Sequence, residues 1–199
     1  MKRNLFKASL LAILPLNAFA HHPMGGETPQ NFIQGFLSGI GHPIIELDHF
    51  LFVIGFAALV AVGSRHTIAH LTLFLTTAAA GTVARFVQPE LGFLEAAVFA
   101  SIALVGTLLL AHKLDRLPHL WFIAPIGGAI HGYAYGGAIV GAESTPIFAY
   151  LAGFSIVQAA LMLTIVFVVR SKINAQTGNK TERFRMVVGS GVIGLAFFV

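Results

Sequence analysis

Long apolar stretches separated by short polar turns run along the whole chain. A hydrocarbon core about 30 Å thick is crossed by about 20 helical residues rising 1.5 Å each. On that measure the pattern predicts an all-α polytopic membrane protein with about six transmembrane helices. The first long stretch, 29–62, exceeds one span, since about 34 helical residues would reach about 50 Å. Gly35, Gly39, Gly41 and Pro43 interrupt it. The reading is an interfacial or re-entrant piece at 31–40, followed by a first span at 43–62. Further spans are predicted at 68–87, 91–111, 120–140, 147–169 and 184–199. The last is short, and Gly189, Gly191 and Gly194 within it predict close packing on a neighbour. No internal repeat interrupts the pattern. The polar stretch 171–181 reads as a mobile connector.

The first twenty residues follow a different rule. Lys2, Arg3 and Lys7 precede a short apolar run at 8–16, and Ala18-Phe19-Ala20 forms a small-residue exit site. This is the pattern of a cleavable signal peptide, residues 1–20, with a single helical transmembrane domain at 21–199. The mature chain would begin at His21-His22 on the periplasmic side of a bacterial inner membrane. With that start, the inner loops hold Arg65, Lys113, Arg116, Arg170, Lys172, Lys180, Arg183 and Arg185, against Arg85 alone outside. Such a bias supports the orientation.

Composition narrows the chemistry. Of 199 residues, 56% are hydrophobic and 10% charged, where a soluble domain has about 25% charged. The formal charge of +4 does not indicate nucleic acid, because the basic residues lie in short turns between apolar runs. Cysteine is absent, which excludes disulfides, thiolate metal sites, Fe–S clusters and a Cys nucleophile. Nine His against eight acids is high for so apolar a chain, and His is the commonest metal ligand.

The polar residues concentrate at Gly41-His42-Pro43-Ile44-Ile45-Glu46-Leu47-Asp48-His49. On one helix, His42, Glu46 and His49 form a stripe at i, i+4, i+7, with Asp48 beside it. Pro43 suits a first helical turn, which puts His42 near the cap of the helix that follows. Four ionisable groups in a membrane-grade segment are costly unless paired, hydrated or metal-bound, and such groups usually mark ion pathways. The plainer reading is a buried polar knot joining helices. Imidazoles with a carboxylate suit borderline divalent metals better than copper(I).

Other residues carry weaker signals. His131 falls near the middle of the predicted fourth span, within His131-Gly132-Tyr133-Ala134-Tyr135-Gly136-Gly137, where glycines permit close helix approach. It is either a metal ligand or a hydrogen-bonding partner of a neighbouring helix. Tyr133 and Tyr135 are either hydrogen-bond donors behind a ligand or ordinary packing, and packing is the preferred reading. His66 and His70, at i, i+4, are a metal pair or an interfacial pair, and interfacial solvation is the default for His112 and His119. Glu95 and Gln158 either face a pathway or bond a neighbouring helix. After cleavage, the α-amine, the His22 amide and the His22 imidazole would form a nitrogen-rich chelate suited to nickel(II) or copper(II); the alternative is a solvated tail.

At His42 to His49 and again at His131, the sequence resembles the HupE/UreJ family of nickel and cobalt permeases. The resemblance spans nearly the whole chain: a signal peptide, His at the mature N-terminus, the His-x5-Asp-His motif (His42, Asp48, His49), and His131-Gly132 with Glu143 downstream. The chain departs from the family at Glu46, where Gly is usual, and at Tyr133 and Tyr135, where His is more frequent. The resemblance implies uptake of Ni2+ or Co2+ without ATP hydrolysis, and no Walker A motif is present.

The sequence therefore predicts a secondary permease, not an enzyme, for a divalent transition metal ion, nickel before cobalt. The expected ligands are His42, Glu46, Asp48, His49 and His131, with His21 and His22 at the entrance. The ion is bound transiently as substrate, and no prosthetic group is expected. The expected partners are the ion and the lipid bilayer. The rivals are an intramembrane zinc hydrolase with Glu46 as general base, though a His-Glu-x-x-His motif is missing, and a structural helix-bundle subunit.

Overall fold

A computed structural model of the chain describes residues 27–87, 91–111, 118–174 and 179–196. The predicted signal peptide, His21, His22 and His112 lie outside the described residues. Within them the protein is helical and has no strand. It comprises α1 (Phe32–Ile45), α2 (Leu47–Gly63), α3 (Thr67–Ala84), α4 (Leu94–Leu110), α5 (Leu120–Tyr135), a 3-10 turn (Gly136–Ile139), α6 (Ser144–Asn174) and α7 (Asn179–Ala196).

Helix α1 opens where Asn31 accepts a hydrogen bond from the Gln34 amide at 3.0 Å, a side-chain N-cap. It then runs through Pro43, which lies inside the helix. Pro43 therefore does not open the helix of the first span, as the sequence suggests. Its missing N–H leaves the Gly39 carbonyl without an intrahelical donor, and three residues later Glu46 turns extended, with φ −80° and ψ 111°. The Glu46 amide still closes α1 on the His42 carbonyl at 3.2 Å, and its own carbonyl accepts from Phe50 at 3.0 Å to begin α2. Glu46 is thus the single residue between two helices bent by 73°. The predicted re-entrant piece and first span are one broken element.

The break stays in place because α1 lies directly on α6. A Cβ on Gly39 would meet the Tyr150 carbonyl, and one on Gly153 would meet the Phe36 carbonyl. Further along, Arg170 of α6 donates to the Ala61 carbonyl at 3.2 Å and the Ser64 carbonyl at 2.9 Å, capping the end of α2. Between these two anchors the chain bends at Glu46. Helix α5 approaches α3 equally closely, since a Cβ on Gly132 would fall on the Ala78 backbone; the glycines around His131 serve the close approach the sequence predicts. Of the three α7 glycines, Gly189 packs against Leu110 and Gly106, while Gly191 and Gly194 have open space. That face of α7 is turned away from its neighbours.

Helix α2 is buried on nearly all sides, with Phe52, Phe56 and Leu59 in the core. Large apolar side chains cover the outside instead: Phe148 is 70% exposed and Phe167 73%. An apolar exterior around a core of buried histidines is the arrangement expected in lipid. By length and apolarity, α3 and residues 144–172 of α6 can cross a membrane, and the bent pair α1–α2 makes a third candidate. Helix α4 is apolar but shorter, at 17 residues.

Candidate metal site

The bend does what a continuous helix would do less well. His42 projects from the last turn of α1 and His49 from the first turn of α2, and both rings turn toward the residue between them. His42 Nε2 lies 3.0 Å, and His49 Nε2 3.2 Å, from the same Glu46 oxygen, Oε2. The three side chains form a cluster whose ligating atoms all lie within 4.8 Å of one another. His42 and His49 are 3% and 2% exposed. The carboxylate sits at the N-terminus of α2, where the helix dipole favours negative charge. The carbonyl end of α1 meets it there, a pairing of broken-helix ends suited to holding a cation.

Asp48 stands apart. Its Oδ1 accepts from the His49 backbone amide at 2.6 Å, and the three-residue cluster does not contain it. Its position beside the stripe places it in the first turn of α2, where it holds the backbone amide of His49.

His131 comes to the cluster from α5 and is fully buried. Its Nδ1 is 2.8 Å from His49 Nδ1, and its Nε2 is 2.8 Å from Ser101 Oγ on α4. Ser101 Oγ is also 2.6 Å from the Val98 carbonyl, which can only accept. The hydroxyl proton therefore goes to Val98, and Ser101 accepts from His131 Nε2–H. That leaves His131 Nδ1 as an acceptor for His49 Nδ1–H. A neutral His49 then turns its Nε2 lone pair toward the Glu46 carboxylate. At 3.2 Å a proton on Nε2 satisfies both atoms, and a metal ion can take the place of that proton. Holding one imidazole nitrogen by a hydrogen bond so that the other can ligate is the usual support of a metal-binding His.

Two tyrosines enclose the cluster. The Tyr135 ring centroid is 5.0 Å from that of His42 and 4.3 Å from that of His49. Tyr150 donates to the Tyr135 carbonyl at 3.0 Å. Tyr135, read from sequence as packing, thus lies against both imidazoles. Tyr133 points elsewhere, under the Arg85 guanidinium at 5.5 Å. Ser101 was not singled out by the sequence; the available signal was a hydroxyl in a mostly apolar helix. His66 and His70 do not extend the cluster. His70 Nδ1 contacts Ser64 Oγ and the His66 carbonyl at 2.8 and 2.9 Å, and its ring packs 4.3 Å from Trp121.

An apolar helical exterior around a buried His–Glu–His cluster at a helix break is the build of a membrane protein with a polar interior site. The family model described as HupE / UreJ protein matches residues 9–198, and the chain belongs to that family, one of nickel and cobalt transporters. No match was found among curated proteins or solved structures.

Proposed function

We propose that the chain is a secondary permease that takes up a divalent transition metal ion, nickel or cobalt, across the bacterial inner membrane. The observation that carries this reading is the convergence of His42 Nε2 and His49 Nε2 on one Glu46 oxygen. Two neutral imidazoles and one carboxylate form a donor set for borderline divalent ions, and one negative charge offsets half of a dication's charge. Asp48 adds a second carboxylate nearby. His131 and Ser101 act behind His49, holding its Nδ1 proton so that Nε2 faces the ion. Three protein donors leave coordination positions open, so the ion is held without being trapped.

The reading includes a cleavable signal peptide at 1–20, six spans, and a mature N-terminus on the periplasmic side. His21 and His22 would meet the ion there first, through the α-amine, the His22 amide and its imidazole. The ion is the substrate, the bilayer the surrounding phase, and no resident cofactor is involved.

Uptake of radiolabelled nickel and cobalt into sealed vesicles containing the full chain tests the proposal. Accumulation in parental vesicles that is lost in His42→Ala and His49→Ala, at equal membrane abundance, is the expected result. Equal accumulation in empty vesicles would refute it.

A further inference from the structure

Behind the cluster, the packing leaves several polar atoms unsatisfied. Tyr135 and Gln158 are both 0% exposed. The Tyr135 hydroxyl and both carboxamide atoms of Gln158 have no hydrogen-bond partner among the described residues, and neither do the two ring nitrogens of His42. His42 Nε2 nonetheless lies 3.0 Å from Glu46 Oε2, as an ion-pair contact. These atoms are grouped. The Tyr135 ring contacts His42 and His49, and its hydroxyl faces Gln158 without completing a hydrogen bond to it. The surroundings are otherwise well satisfied: Tyr150, equally buried, donates to the Tyr135 carbonyl at 3.0 Å, and Thr82 donates to the Gly132 carbonyl at 2.8 Å.

Gln158 sits in α6 one turn after the buried Phe154. A buried carboxamide with neither its donor nor its acceptor used costs more than a hydrocarbon side chain of the same size. It becomes favourable when something at the cluster supplies partners. The three ligating side chains of the proposed site leave open positions on a nickel or cobalt ion, and water fills such positions. A water bound to a dication is polarised and is a strong hydrogen-bond donor. The Gln158 Oε1 and Tyr135 Oη lone pairs are acceptors of the kind it needs.

We propose that Tyr135 and Gln158 form an outer shell that binds the water molecules still attached to the ion, so that the species recognised at this site is a partly hydrated divalent cation. The proposal rests on the reading of His42, Glu46 and His49 as direct ligands. Tyr135 and Gln158 do not touch the metal; they select ions that keep inner-shell water and disfavour those that prefer a closed, water-free tetrahedron. Nickel(II) and cobalt(II) accept such mixed nitrogen, oxygen and water shells, whereas zinc(II) is more readily held in a closed tetrahedral site.

The test uses the purified full chain in detergent, with NiCl2, CoCl2 and ZnCl2 as probes. Calorimetric affinity and the metal-induced rise in Tm are measured for the parent, Gln158→Leu, Tyr135→Phe and Glu46→Gln. Without metal, Gln158→Leu should melt at or above the parental temperature, since an unsatisfied carboxamide has been replaced by hydrocarbon. With metal, Gln158→Leu and Tyr135→Phe should each lose roughly tenfold in nickel affinity, the size of one charge-assisted hydrogen bond, and should lose less for zinc. If both bind nickel as the parent does while Glu46→Gln binds weakly, the outer shell is refuted and the ligand set stands. If Glu46→Gln also binds as the parent does, the ligand set falls and this proposal with it. The visible spectrum of the Co2+-loaded parent is an independent check that needs no variant. Weak bands of a five- or six-coordinate ion are expected, with water-proton relaxation showing bound water; tetrahedral bands together with no bound water in the relaxation measurement would overturn the proposal.

Discussion

Ser101→Ala is the most informative change at the periphery of the site, because its effect must travel through two histidines. The hydroxyl accepts a hydrogen bond from His131 Nε2–H at 2.8 Å and donates one to the Val98 carbonyl at 2.6 Å. Alanine removes the acceptor and leaves a fully buried N–H without a partner, a cost of about 1–3 kcal/mol. His131 relieves this by moving its proton to Nδ1. The 2.8 Å contact with His49 Nδ1 then survives only if His49 becomes the acceptor and carries its proton on Nε2. A protonated Nε2 suits Glu46 in the metal-free protein but cannot ligate. Metal binding must reverse the shift, so affinity falls by the same 1–3 kcal/mol, about fivefold to 150-fold, a span that includes the losses found when the outer partner of a metal-bound His is removed. Titration calorimetry with nickel on the purified chain reads this directly. Ser101→Thr keeps the hydroxyl and should retain most of the affinity. Parental affinity in Ser101→Ala would show that the proton order from Ser101 to His49 is not as argued.

Four further outcomes are expected. Glu46→Gln removes the only carboxylate in the three-residue cluster, so nickel binding should weaken and the order among Ni2+, Co2+ and Zn2+ should change in competition assays; an unchanged order and affinity would remove Glu46 from the site. Asp48→Asn preserves an oxygen that can accept from the His49 amide, so vesicle uptake should fall less than in His49→Ala, and equal loss in the two would make Asp48 a ligand. Gly39→Ala drives a methyl group into the Tyr150 carbonyl; because the obstacle is backbone, destabilisation of about 3 kcal/mol or more is expected, read as loss of folded protein in membranes, and a normal yield with normal Tm would contradict the α1–α6 packing. A C-terminal reporter should be active only on the periplasmic side if six spans follow an outside start, and cytoplasmic activity would overturn that topology.

The separation between what is local and what is tertiary is clear at the His42–Glu46–His49 cluster. Apolar stretches long enough to span a bilayer, a basic bias between them and charged residues gathered at His42–His49 are properties of composition and order, and they are visible without coordinates. They led to helices, a membrane setting and three of the residues that meet at Glu46. Helix starts also follow local rules, as the Asn31 cap shows. The position of the break did not follow. Pro43 fits either the first turn of one helix or the last turn of another, and the contact of Gly39 with the α6 backbone decides in favour of the second. A residue of α6 more than a hundred positions away is not part of any local pattern. The same holds for the side chains around the cluster. Read in order, Ser101 drew no attention and Tyr135 and Gln158 only open readings; the packing of α4 and α5 brings Ser101 to His131 and Tyr135 to His42 and His49. Periodicity identifies which face of a helix is polar; only packing between helices determines which polar atoms meet, which are satisfied, and which remain for a ligand.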